Sequence, residues 1–215
     1  MTYQFKRIAV KIGSNVLTRK DGSLDVTRMS ALVDQVAELH RKGVEVVLIS
    51  SGAVASGRSE VKPGKKLDAV SARQLYSAVG QAKLINRYFE LFREHKIACG
   101  QVLTTKENFG SRTHYLNQKH CMEVMLDNNV IPIVNENDSV SYQEIESEDR
   151  LFGDNDMLSS VVSVLCRAKR LVIFSDIDGF YDSDPRLHPN AKLIKEIRQI
   201  DESVYSLAGG AGSRR

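Results

Sequence analysis

The apolar run 131–134 stops abruptly at four polar residues, Asn135, Glu136, Asn137 and Asp138. A short Ile-Pro-Ile-Val run reads as a buried strand. Four polar residues directly behind it are a poor way to continue a sheet. They suit the rim of a crevice at the strand's carboxyl end, where open α/β sheets place their ligands. A second cluster, Gly153, Asp154, Asn155 and Asp156, precedes Leu158, Val161, Val162 and Leu165. That spacing is helical, with Asp or Asn at the cap. Turns and caps use the same residue types. One such cluster would read as no more than that; two at equivalent element ends point to a site.

The pattern recurs along the chain. The strand-like stretch 8–12 holds Lys11 and runs into Gly13, Ser14 and Asn15. Gly13 lets a ligand approach the backbone, and Lys11 places a cation beside it, although a lysine at a strand end also serves as plain surface. Met29, Leu32, Val33, Val36 and Leu39 follow helical spacing, closed by Gly43. The stretch 44–49, apolar and largely β-branched apart from Glu45, reads as a strand covered on both faces, as in a parallel sheet. Strand, helix and strand make a βαβ unit. The small residues 50–57 either bring backbone amides to an anion or form a tightly packed strand-to-helix turn.

Further on, 61–66 reads as a loop with a Pro-Gly turn. Residues 69–94 read as a helix broken near Gly80, 98–103 as a third strand and 115–126 as a helix. The acidic stretch 141–152 reads as a loop over a site or a small hairpin. Residues 171–174 read as another buried strand, again followed by polar residues, Ser175, Asp176 and Asp178. After a turn-rich excursion at 181–189, an extended pattern resumes at 192–197. The glycine-rich end, 207–215, resembles a loop cut before its second half.

Composition closes several doors. The 215 residues suffice for one large domain or two small ones, with a substantial core. The net charge of +3 is not gathered into a basic stripe, which argues against nucleic acid. No run approaches a membrane span, and the N-terminal apolar stretch is too short for a signal peptide. Three cysteines without CxxC spacing read as buried free thiols in a reducing compartment. His114 and His120 lack metal-ligand spacing. There is no P-loop, HExxH or GxSxG, and Gly210-Ala211-Gly212 lacks the strand-helix context of a dinucleotide fingerprint. What remains is lysine, glycine, amide and aspartate at the strand ends of a parallel sheet. Phosphoryl transfer needs that inventory and little else. A carboxylate acceptor, already ionised at neutral pH, would need no general base.

The ordered motifs VKIGSN, ISSGAVASGR, AVGQ, PIVNEND, GDND and SDIDGFYDSDPR resemble those of the glutamate 5-kinases (γ-glutamyl kinases) in the amino-acid kinase family. The resemblance implies an αβα sandwich around a mostly parallel central sheet, one amino-acid kinase domain over 1–215. It implies ATP-dependent phosphorylation of the side-chain carboxylate of L-glutamate, the first step of proline biosynthesis, in the cytoplasm. It places Lys11 on the transferring phosphoryl group and has Asp156 orient the catalytic lysines, with Asp154 in support. Ser51, Gly52, Ala53, Asn135, Asp138 and Asn155 would bind glutamate; charge repulsion from the substrate's carboxylates would then put Asp138 at the ammonium group. Lys11, Gly13, Ser14, Ser175 and Asp176 would bind ATP. Mg²⁺ would be held mainly by the ATP phosphates and water.

The family resemblance also implies a homo-oligomer and feedback inhibition by proline at the glutamate site. The family continues into a GTGGMxTK segment with a second catalytic lysine, and some members add a PUA-type domain. This chain is therefore expected to be truncated at its C-terminus, with no PUA domain and uncertain activity. The alternatives are another kinase of this fold, acting on aspartate, acetylglutamate, carbamate or UMP, and a non-catalytic glutamate- or proline-binding fragment.

Overall fold

The computed structural model describes residues 5–105, 107–141 and 155–207. In chain order it contains β1 (Arg7–Ile12), α1 (Ser14–Leu17), α2 (Val26–Arg41), β2 (Glu45–Ser50), α3 (Ala53–Glu60) and α4 (Ala69–Glu94). There follow β3 (Ala98–Thr104), α5 (Glu107–Gly110), α6 (Arg112–Asp127), β4 (Val130–Glu136), α7 (Asn155–Leu165), β5 (Arg170–Phe174) and α8 (Glu202–Leu207). The strands form one sheet in the order β3-β4-β2-β1-β5, and every neighbouring pair is parallel.

Strand periodicity sorts the core into two layers. Ile8, Val10 and Ile12 of β1, with Val46 and Leu48 of β2, face Met29 and Val33 of α2 and Leu84, Tyr88 and Phe92 of α4. Their alternates Ala9, Val47 and Ile49 face Met122 and Leu126 of α6 and Leu158 and Val162 of α7. Helices thus cover both faces, and the uninterrupted apolar run 46–49 inside β2 is what that requires. The αβα sandwich is the fold expected from the sequence. Asp25 and Asp68 cap α2 and α4 through the amides of Arg28 and Ser71. Gly43 ends α2 with φ of +80°.

Four expectations need correction. First, α4 runs unbroken for 26 residues through Gly80. A Cβ there would stand 1.8 Å from the carbonyl oxygen of Ala53 and 2.4 Å from the amide nitrogen of Gly57. Gly57 in turn has no room for a Cβ, which would lie 1.8 Å from the Tyr76 carbonyl oxygen. The two glycines let the α3 and α4 backbones touch. Second, β5 is not a buried strand: it pairs with β1 alone, at the sheet's edge among the described residues, and Ile173 is 48% exposed. Third, 192–197 forms no strand; a single bridge, Tyr181 to Leu193, is what holds there. Fourth, Cys99 and Cys166 are buried free thiols, but Cys121 on α6 is exposed. Apart from Ser141, the stretch 141–152 lies outside the described residues, as do Gly153, Asp154 and the glycine-rich 208–215.

Candidate functional site

Parallel strands deliver their carboxyl ends to one rim. On β1, alternation turns Lys11 to the face of Ala9, the face that α7 covers. Lys11 is only 7% exposed. A buried ammonium needs an opposite charge, and Asp156 on the first turn of α7 supplies it, Nζ to Oδ1 at 2.6 Å. Gly13 follows at once and donates its amide to the Phe174 carbonyl at 3.1 Å, tying β1 to β5. A Cβ on Gly13 would stand 3.6 Å from the lysine nitrogen and 3.3 Å from that carbonyl.

At the end of β2, Gly52 takes φ of +97°, which L side chains disfavour. That turn lets α3 start immediately behind Ser51, with its first-turn amides free of helical partners. Those amides border a cleft of 340 Å³ whose wall includes Ser14, Ser51, Asn135, Asp138 and Asn155. The side-chain amides in this wall are held in register. Asn155 donates through Nδ2 to Ser51 Oγ at 2.5 Å, and the same nitrogen lies 3.3 Å from the Ser50 carbonyl. Asn135 donates to Gln81 Oε1 at 2.7 Å, and its own oxygen accepts the Glu136 amide at 2.9 Å. Behind them Ser50 Oγ lies 3.0 Å from the Tyr88 hydroxyl. Burial pushes that phenol up to about 12, so it stays neutral at the base of the site.

Asp138 is gripped from α4. Arg73 donates to its Oδ1 through Nε at 3.0 Å and Nη2 at 2.6 Å, and Nη2 also lies 3.5 Å from Glu136 Oε2. Arg58 of α3 lines the same cleft, with its guanidinium 5.6 Å from the Tyr76 ring centroid.

Ser175 and Asp176 form a separate group at the end of β5. Asp176 accepts a bond from Asn15 Nδ2 at 3.0 Å, and Arg186 lies 3.9 Å away. The Asn15 bond is the main reason its carboxyl sits below the ordinary range. So Ser51, Gly52, Ala53, Asn135, Asp138 and Asn155 gather at one cleft, with Ser14 on its edge. Ser175 and Asp176 stand two strands away, beyond Lys11 and Asp156. Sequence reading did not single out Arg73 or Tyr88. Gln81 entered only as part of the AVGQ motif.

A three-layer parallel α/β domain that gathers a buried lysine, a helix start and paired amides around a polar cleft at its strand carboxyl ends has the architecture of the α/β proteins that place ligands there. The amino acid kinase family model matches residues 6–211, and the chain belongs to that family. It is 65% identical over 197 residues to a glutamate 5-kinase of Bacteroides thetaiotaomicron, covering 92% of this chain and 53% of the relative. A glutamate 5-kinase of Shewanella woodyi is 43% identical over 97% of this chain and 55% of its own length. One of Clostridium acetobutylicum is 39% identical over 97% of this chain and 76% of its own length. The chain thus spans about half the length of the first two of these relatives.

Proposed function

We propose that this chain binds L-glutamate in the cleft at the ends of β2 and β4 and carries out, or forms the acceptor side of, phosphoryl transfer from ATP to the glutamate side-chain carboxylate. The product is γ-glutamyl phosphate, at the first step of proline biosynthesis. The observation that carries the reading is the sheet order. β1, with Lys11, lies between the strands of the amide-lined cleft and β5, with Ser175 and Asp176. A phosphoryl group passing between an amino acid on one side and a nucleotide on the other would cross Lys11.

In this reading Ser51, Asn135 and Asn155 hold glutamate, with the amides at the start of α3 taking a carboxylate. Asp138 takes the ammonium group, since a carboxylate partner would be repelled. Lys11 offsets charge on the transferring group, and Asp156 fixes its position. Gly13 and Ser14 offer close backbone approach, and Ser175 and Asp176 border the nucleotide. Among the described residues the donor set fits Mg²⁺ entering with the nucleotide: Asp138 and Asp156 are held by Arg73 and Lys11, and the ion would be held mainly by phosphate oxygens and water. With this reading go proline as a competitor for the cleft, a homo-oligomeric assembly and a cytoplasmic location.

The test is ATP-dependent ADP release with hydroxylamine present to trap an acyl phosphate. Hydroxamate is expected with L-glutamate and not with aspartate or N-acetylglutamate. Lys11→Ala should lower turnover by about 10²–10³, the scale of one lost transition-state donor. Wild-type turnover in that variant would remove Lys11 from the chemistry. Glutamate binding without turnover would confine the chain to the acceptor side.

A further inference from the structure

Arg73 belongs to none of the sequence motifs, yet it faces two buried carboxylates at once. Asp138 is 8% exposed and Glu136 9%. They are two residues apart at the end of β4, both largely withdrawn from solvent, and as like charges they repel. The Arg73 guanidinium, reaching in from α4, brings a compensating charge to both. Its side chain is 30% exposed and lines the cleft. It does not grip Asp138 across both oxygens, the common fork geometry. Nε and Nη2 both bind Oδ1, at 3.0 Å and 2.6 Å, while Nη2 also faces Glu136. Both contacts fall on one oxygen, so Arg73 does not occupy Oδ2.

We infer that Arg73 is a positioning residue: it fixes Asp138 with Oδ2 presented to the ammonium group of the substrate, and so sets the preference for an amino acid over other dicarboxylates. The inference rests on reading the cleft as a glutamate site. An unheld Asp138 would rotate away from Glu136 and lose its alignment with the ammonium group. Arg73 acts through Asp138 rather than on the substrate, and that distinction is measurable.

The experiment is a double-mutant cycle on L-glutamate affinity by calorimetry, with the wild type, R73Q, D138N and R73Q/D138N, plus R73K. R73Q should weaken glutamate binding about tenfold, the scale of one charge-assisted contact. In the D138N background the same change should shift affinity by less than about twofold, because the group it positions is gone. R73K keeps the charge but not the fork, and should bind between wild type and R73Q. If R73Q fails to fold, R73K and R73K/D138N carry the same cycle with a smaller first step. Losses that multiply across the cycle would mean that Arg73 touches the substrate directly, and would overturn the inference. So would wild-type affinity in R73Q. A wild-type protein that binds no glutamate would overturn the cleft reading itself, and the inference with it.

Discussion

At the scale of single residues, the cleft is a set of polar groups held by other polar groups. Asn155 is fixed by Ser51 and by the Ser50 carbonyl, Asn135 by Gln81, and Lys11 by Asp156. Such a site loses little entropy when a ligand arrives, because its side chains are already ordered. Asp138 is the sharpest test of the assigned polarity. Asp138→Asn keeps the shape and removes the charge. With the cleft read as proposed, it should raise the KM for L-glutamate about tenfold or more, with a smaller change in kcat, since an ammonium contact of that kind would be kept in ground and transition states alike. An unchanged KM would put the ammonium elsewhere. The strand-end residues were legible in the sequence because polar runs behind apolar ones are costly unless used. Arg73 was not: it is an ordinary helix residue until the fold carries it to Asp138, 65 positions away. Nothing local in a helix marks an ion pair of that range.

At the scale of elements, the difference between what was legible and what was not lies in how much each element's identity depends on its neighbours. β1, β2 and β4 announce themselves through runs such as Val46-Val47-Leu48-Ile49, and α2 through its spacing and Gly43. The run Leu171-Val172-Ile173-Phe174 carries the same signal as β2, yet β5 sits at the edge and stays partly exposed. A strand's sequence reports its propensity, whereas its place in the sheet is set by the order of the whole chain. Gly80 misled for a related reason. A helix glycine signals either a break or a close approach, and only the partner helix decides. Its Cβ site is occupied by the α3 backbone, so Gly80→Ala and Gly57→Ala must push α3 from α4. Each is expected to cost at least about 2 kcal/mol in thermal or urea unfolding. Each should also weaken glutamate binding, because α3 begins at the cleft. Gly64→Ala, which meets nothing within 4 Å, is the control and should be close to neutral. Equal stability of all three variants would mean that the α3–α4 contact is not what the glycines serve.

At the scale of the whole molecule, both halves of the sandwich bury a weak acid. Cys99 on β3 and Tyr88 on α4 lie in the layer on one side of the sheet, and Cys166, just past α7, in the layer on the other. Burial raises the Cys99 thiol from 9.0 to about 12 and the Cys166 thiol from 9.0 to about 11. It raises the Tyr88 phenol from 10.0 to about 12. Each folded value lies above the unfolded one, so the unfolded chain releases its protons first as pH rises. The stability these groups contribute is therefore whole below pH 9 and is lost between about 9 and 12. By pH 10 the loss should reach about 1 kcal/mol for each buried thiol. Thermal unfolding should accordingly show a flat Tm from pH 7 to 8.5 and a steepening fall above 9. Replacing Cys99 or Cys166 by Ala should flatten that fall while lowering Tm at neutral pH, where only packing is lost. The same geometry fixes the chemical reactivity. At pH 8 a thiol reagent should modify Cys121 rapidly, and Cys99 and Cys166 only at the rate of unfolding, because the thiolate is the nucleophile and neither buried sulfur forms it in the fold. Three cysteines reacting at one rate would show that the two layers open together under native conditions, and that the sheet's burial of both faces is not the barrier proposed for it.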